Sequence, residues 1–256
     1  MIPPARNQGW VGMMRSFCGA KQLLALFLSS LLLAAAGASP APAPLRPNPA
    51  KLDVRSSAAL VVDANDSTVL FAQRDNTAVP IASITKLLTA LVVLDGRQPL
   101  DEIITITNAD RDTERGSSSR LVTGTTLSRD ELLHLALMSS ENRAAHALGR
   151  SYPGGLAGFV RAMNAKAKSL GMASSQFSDP TGLSSRNVAT ARDLVKLVKA
   201  ASAKPLIRRY STDERHTVVA GRRSLEFRNT NSLVARLDWN IAVQKTATPR
   251  TRANAS

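Results

Sequence analysis

Cysteine is nearly missing from this 256-residue chain: Cys18 is the single one, and it lies in a segment expected to be removed. The mature chain would then have no disulfide, no thiol nucleophile and no thiolate metal site. Histidine is scarce too. His134, His146 and His216 are widely spaced and form no metal-ligand pattern, so no metal and no cofactor is expected. His134 and His146 read as packing or surface residues in or beside helices. Aromatic residues make up only 4% of the chain, which leaves little for stacking on bases. Nucleic acid is therefore not the expected partner, despite a formal charge of +14. No apolar run reaches the roughly 20 residues a membrane-spanning helix needs.

The longest such run, Leu23–Leu33, follows Arg6, Arg15 and Lys21 and leads into Ala36-Gly37-Ala38. Basic start, apolar middle and small-residue end are the marks of a secretory signal peptide. We expect residues 1–38 to be that signal, with cleavage before Ser39; an uncleaved anchor is the alternative. Met13 or Met14 as the start leaves a tidier basic region. Residues 39–51 form a Pro/Ala-rich spacer (Pro40, Pro42, Pro44, Pro47, Pro49), extended and poorly packed. Without the three basic residues of the signal, the thirty-three Lys and Arg fall to thirty against nineteen acidic residues, or +11. Such a surface suits an anionic cell-wall polymer or lipid headgroups, so peripheral association with wall or membrane is expected.

From about Leu52 the patterning is globular. Ala58–Val62 and Thr68–Ala72 flank Asn65-Asp66-Ser67 as a hairpin. Ser83–Leu94 reads as a helix ended by Asp95-Gly96, and Ile103–Ile106 as a strand. Arg111–Arg120 reads as a loop. Ser128 with Glu131 three residues on is a capping box opening a helix through Met138. After a break at Ser139-Ser140-Glu141 a second helix starts near Asn142, and Gly154-Gly155 separates it from a third. Asp179–Gly182 is a turn and Thr190–Ala201 a helix. Thr217–Ala220 and Ser224–Phe227 make another hairpin, and Trp239–Thr246 alternates like a last strand. Strands at both ends with helices between them predict α+β, or mixed α/β, and not a doubly wound parallel sheet.

Ser83-Ile84-Thr85-Lys86 carries the chemistry. A serine hydroxyl needs a neighbouring base to act as a nucleophile, and on a helix Lys86 at i+3 shares the face of Ser83. The lysine can be that base only where burial or positive surroundings lower its pKa. The competing reading is an N-capping serine with a solvated lysine. Ser140-Glu141-Asn142 supplies a second hydroxyl and an amide, although Ser140 can equally cap the following helix. Lys245-Thr246 offers a cation and a hydroxyl suited to a carboxylate, or an ordinary strand end.

In this order the three segments resemble the S-x-x-K, S-x-N and K-T-G set of penicillin-binding proteins and serine β-lactamases. Leu132–Ala144, Asp179–Ser184 and Asn229–Leu233 also resemble the low-molecular-mass D-alanyl-D-alanine peptidases of the endopeptidase type, over about Ala58 to Thr246. The resemblance implies a transpeptidase-like fold, an antiparallel sheet flanked by a helical subdomain. It implies a nucleophile at Ser83, a general base at Lys86, a proton shuttle at Ser140 and substrate binding by Asn142, Lys245 and Thr246. The oxyanion hole would be the backbone N–H groups of Ser83 and Thr248. Peptidoglycan stem peptides and β-lactam antibiotics would be the partners, and the periplasm the location. A non-catalytic or inactive peptidoglycan-binding chain is the first alternative, a β-lactamase the second.

The last ten residues depart from that pattern. Ala247 stands where the family has glycine, and Thr248–Ser256 has no strand pattern, Pro249 removing a donor. One choice of codons for Ala247–Ser256, read with a single G restored ahead, encodes Gly-Tyr-Thr-Pro-Asp-Ala-Gly-Gln-Arg-Ile, which resembles the Gly-Tyr-x-x-x-Ala-Gly with which the family continues after Lys-Thr. We therefore expect a domain of residues 52–246, lacking its C-terminal strands and helix, and a non-family tail of 247–256 from a frameshift or truncation.

Overall fold

A computed structural model of the chain describes residues 54–113, 116 and 118–247. The expected signal (1–38), the spacer (39–51) and all of the tail but Ala247 lie outside the described residues.

The chain enters through a hairpin. β1 (Ala59–Val62) pairs antiparallel with β2 (Val69–Gln73). Its turn is built by two carboxylates, Asp63 accepting from Asn65 N–H and Asp66 from Thr68 N–H, each at 2.8 Å; such Asx contacts mimic a backbone turn. The two-residue β3 (Val79–Pro80) follows and pairs with the distant β6 (Val188–Ala189). A single 3-10 turn, Ala82–Ile84, then runs into α1 (Thr85–Asp95).

Every residue of α1 from Thr85 to Val93 is buried, because its sequence, TKLLTALVVLD, is apolar on nearly every face and has no side to offer to water. It is surrounded by α2 (Arg129–Met138), α3 (Asn142–Arg150), α4 (Gly155–Ser169) and α5 (Ala191–Ser202). These helices supply most of the buried core, including Leu132, Leu135, Leu148, Phe159, Met163 and Leu197. α2 starts where β5 (Thr126–Ser128) leaves its ladder with β4 (Ile103–Thr105). The predicted capping box forms there. Ser128 Oγ accepts from Glu131 N–H at 3.1 Å, and the Glu131 carboxylate accepts from Ser128 N–H at 2.8 Å.

One helix was not anticipated. α6 (Pro205–Thr212) starts with proline at its first position, where the missing N–H has no helical partner in any case. It packs on α2 and α5 through Ile207 and Tyr210. With eight residues and two adjacent arginines it shows too little periodicity to be read from sequence. β7 (Arg215–Ala220) and β8 (Arg223–Arg228) form the second predicted hairpin around Gly221.

The fold is thus α+β, its strands arranged among the described residues as four two-stranded antiparallel ladders. The last expected strand is corrected. Trp239–Thr246 has no ladder among the described residues. Alternating apolar residues make a strand only where a neighbour takes their backbone groups. This segment is instead pinned by side chains: buried Gln244 donates to Ser211 O at 2.7 Å and to Asn229 Oδ1 at 2.8 Å.

Candidate active site

Ser83 is the middle residue of the 3-10 turn, and Lys86 lies in the first turn of α1. The two are three residues apart across the joint of the turn and the helix, a spacing that puts their side chains on one face. Lys86 is fully buried, and its Nζ donates to Ser83 Oγ at 3.1 Å, to Asn142 Oδ1 at 2.8 Å and to the carbonyl of Thr181 at 2.7 Å. A buried ammonium is tolerated only when its protons are taken up, and these three oxygens do so.

Of the three, two are carbonyl-type oxygens that can only accept; the Ser83 hydroxyl can also donate. A neutral Lys86 could therefore keep its two N–H bonds to Asn142 and Thr181 and turn its lone pair to the Ser83 proton. Both protonation states fit one set of side-chain positions.

α1 carries three polar side chains in its first turns, and all are spoken for by one loop. Thr85 Oγ1 accepts from Asn187 Nδ2 at 3.1 Å, and Thr89 Oγ1 donates to Pro180 O at 2.7 Å. The loop is held by Asp179, whose Oδ1 accepts from the N–H groups of Thr181 and Gly182 at 2.7 and 2.8 Å and from the Thr181 hydroxyl. Its Oδ2 accepts from Ser184 N–H at 3.2 Å. Gly182 has φ +81°, and a Cβ there would lie 1.9 Å from Ala82 O. Only glycine lets this turn lie against the backbone that presents Ser83. The Asp-Pro-x-Gly string marked the turn in the sequence. Nothing in it announced that the Thr181 carbonyl holds the lysine.

The break between α2 and α3 places Asn142 at the start of α3, with its amide on Lys86. Ser140, two residues earlier, has a left-handed backbone, φ +59°, uncommon for a residue other than glycine and worth notice where it occurs. It is not the cap of α3. That position is Glu141, whose carboxylate accepts from Arg143 N–H at 3.2 Å.

Lys86 is therefore in direct contact with both Ser83 and Asn142. Lys245 and Thr246 are joined to this group less directly. Thr246 Oγ1 shares a hydrogen bond with Thr230 Oγ1, and Thr230 N–H donates at 3.3 Å to Met138 O, just before the Ser140 break. The Lys245 ammonium is buried with no hydrogen-bond partner among the described residues. Burial alone pushes its pKa down to about 7. Thr248 lies outside the described residues.

Residues 45–254 match the family model described as D-alanyl-D-alanine carboxypeptidase. A D-alanyl-D-alanine endopeptidase of Pseudomonas aeruginosa is 48% identical over 227 residues, covering 88% of this chain and 72% of the relative. One from Escherichia coli K12 is 48% identical over 196 residues, covering 76% and 63%. The chain thus spans roughly two thirds of the length of these relatives. Among solved structures, a variant of the Streptomyces K15 DD-transpeptidase superposes with a TM-score of 0.72 at 26% identity, covering 78% of this chain and 83% of that one. A carboxypeptidase from Mycobacterium tuberculosis superposes with 0.64 at 28%, covering 72% and 70%. The chain belongs to the D-alanyl-D-alanine carboxypeptidase family, and its fold is that of the DD-transpeptidases.

Proposed function

We propose that this chain is a serine D-alanyl-D-alanine peptidase that cleaves peptidoglycan peptides, with endopeptidase cleavage of cross-links as its main reaction. The observation that carries the reading is the buried Lys86 ammonium shared between Ser83 Oγ and Asn142 Oδ1. Ser83 Oγ attacks the carbonyl carbon of a D-Ala peptide bond while Lys86 Nζ takes its proton. The tetrahedral intermediate collapses to an acyl-enzyme as the amine leaves, Ser140 passing it a proton. Water then releases the acyl group by the reverse relay. Asn142 orients the substrate backbone, and Lys245 with Thr246 holds its carboxylate. The N–H groups of Ser83 and Thr248 stabilise the oxyanion. Penicillins would stall at the acyl stage.

The endopeptidase assignment is supported by the two relatives at 48% identity that carry that name. We place the mature protein outside the inner membrane, in the periplasm and against the wall, on the strength of its N-terminal pattern and basic charge. N-terminal sequencing of the exported protein tests that placement; a chain still starting at Met1 contradicts it.

Digestion of purified cross-linked muropeptide dimers tests the reaction. Appearance of monomers that is lost in Ser83→Ala is the expected result. Release of terminal D-alanine alone would reassign the chain to carboxypeptidase work, and no cleavage by a folded protein would overturn the reading.

A further inference from the structure

Two consecutive peptide units of the loop that meets α1 carry the same pair of contacts. In the Pro180–Thr181 unit the carbonyl accepts from the Thr89 hydroxyl at 2.7 Å, and the N–H donates to Asp179 Oδ1 at 2.7 Å. In the Thr181–Gly182 unit the carbonyl accepts from Lys86 Nζ at 2.7 Å, and the N–H donates to the same Asp179 oxygen at 2.8 Å. A trans peptide points its C=O and N–H in opposite directions. Asp179 and the polar side chains of α1 therefore lie at the two ends of one pair of amide dipoles. Lys86 and a carboxylate are joined through a single peptide unit.

The turn needs the oxygen of Asp179 and not its charge. Its Oδ1 accepts from Thr181 N–H, Gly182 N–H and the Thr181 hydroxyl, and its Oδ2 from Ser184 N–H at 3.2 Å. An asparagine oxygen would accept the first three. Among the described residues Asp179 forms no ion pair that would call for an anion there.

The charge does have an effect along the hydrogen-bonded chain. Linked hydrogen bonds polarise one another, the more so where water is excluded, and Lys86, Thr89, Thr181 and Gly182 are all buried. A carboxylate at the N–H end of a peptide pushes electron density towards its carbonyl oxygen, here the oxygen that accepts from Lys86. That polarisation and the plain attraction of opposite charges both favour the ammonium form.

We infer that Asp179 is a positioning residue of the Ser83–Lys86 pair: through the Thr181–Gly182 peptide its charge sets how firmly Lys86 holds its proton. The inference rests on the peptidase reading above and adds to it the group that offsets burial of the lysine.

Other charged groups surround Lys86. Asp110, Asp112 and His146 line a cavity together with Asn142, Asp179 and Thr181. His146 Nδ1 is 2.7 Å from Asp110 Oδ1, and Asp110 also pairs with Arg150. Glu141 and Arg143 flank Asn142, and the buried Lys245 belongs to the third segment. The helices packed on α1 add Arg129, Lys166 and Asp193, which pair with Glu102, Asp95 and Lys196. A substitution at Asp179 removes none of these, so a difference between variant and unaltered chain reports Asp179.

The test measures penicillin acylation against pH on the unaltered chain, on Asp179→Asn, which keeps an acceptor without the charge, and on Asp179→Glu, which keeps the charge. Acylation falls at acid pH as Lys86 takes up its proton. Asp179→Asn should move that acid limb to lower pH by about one unit, the lower end of what an opposite charge contributes. Below the limb the variant then retains about tenfold more of its own plateau rate than the unaltered chain does. In Asp179→Glu the limb stays near its original pH. A merely structural role would lower the plateau and leave the limb where it was. A limb that stays in place or moves to higher pH in Asp179→Asn therefore overturns the inference, whatever the plateau does. So does a limb in Asp179→Glu as low as that of Asp179→Asn. Asp179→Ser repeats the comparison if Asp179→Asn does not fold cooperatively. If penicillin acylates none of the folded chains, the peptidase reading fails by itself. Titration of the Lys86 Cε carbon signal by NMR then decides the inference: a lower midpoint in Asp179→Asn supports it, and an unchanged or higher one overturns it.

Discussion

Lys86 Nζ stands 3.1 Å from Ser83 Oγ at the joint where a 3-10 turn becomes the buried central helix. The pair is exchangeable in protons because its other two acceptors, from Asn142 and Thr181, stay satisfied in either state. Lys86→Ala should therefore lower the rate of penicillin acylation by at least about a hundredfold, the usual contribution of a positioned base. Lys86→Arg should not rescue it, since a guanidinium does not give up its proton. Stopped-flow acylation of both variants checks this. Near-normal rates in the arginine variant would mean that charge alone, and not proton transfer, is what position 86 supplies.

Gly182 bears on the same pair from outside. Its Cβ-free surface lies against Ala82 O, and its φ of +81° belongs to glycine. Gly182→Ala should cost about 1–3 kcal/mol for the backbone conformation alone. It should also slow acylation by ten- to a hundredfold, since displacement of an ångström at a reacting group has about that effect. Urea unfolding and acylation rates measured side by side would show both losses; unchanged acylation would mean the turn does not set the position of Ser83.

Lys245 tests the electrostatics of the third segment. Its folded pKa of about 7 lies below the ordinary 10.5 because its ammonium is buried. Between these values the unfolded chain holds a proton that the folded chain lacks, so stability should rise with pH from about 7 to about 10.5 and be lowest below 7. Lys245→Met should flatten that rise and stabilise the fold at acidic pH by on the order of 3 kcal/mol, while weakening binding of carboxylate-bearing peptides. Unfolding midpoints across this range decide it. A carboxylate ligand should raise the Lys245 pKa, visible by NMR.

A second pH effect comes from the ring stack of His134 between Tyr210 and His216, with centroids 4.2 and 4.0 Å away. Burial, with the charges of His216 and Arg209, lowers the His134 pKa from 6.5 to about 3. Asp213 Oδ2 is 3.0 Å from Nε2 but makes no aligned hydrogen bond, so it does not offset burial. Stability should fall as pH drops from about 6.5 towards 3, because the unfolded chain takes up a proton the folded one refuses. His134→Phe should remove that acid sensitivity with the stack kept. An unchanged acid limb would place the sensitivity elsewhere.

What could be read in advance followed local rules. The capping box at Ser128, the hairpins around Asp66 and Gly221 and the apolar helix after Ser83 each carry their signal within a few residues. The approach of Asn142 to Lys86 became legible only through the order of three motifs, since no local rule joins residues 56 apart. The Thr181 carbonyl, the Asn187 bonds to Thr85 and the Asp110–His146 contact depend on how loops cross α1 and α3, which no residue pattern encodes. Trp239–Thr246 failed for a related reason. Alternation records which face a strand would bury, but whether a partner stands beside it is a property of the fold.

Penicillin acylation at Ser83 tests the central claim most directly. Intact-mass measurement of the folded chain after penicillin should show one adduct, mapped by proteolysis to the peptide containing Ser83 and absent from Ser83→Ala. A cooperatively folded chain that takes up no adduct, or takes it up at another residue, would contradict the account.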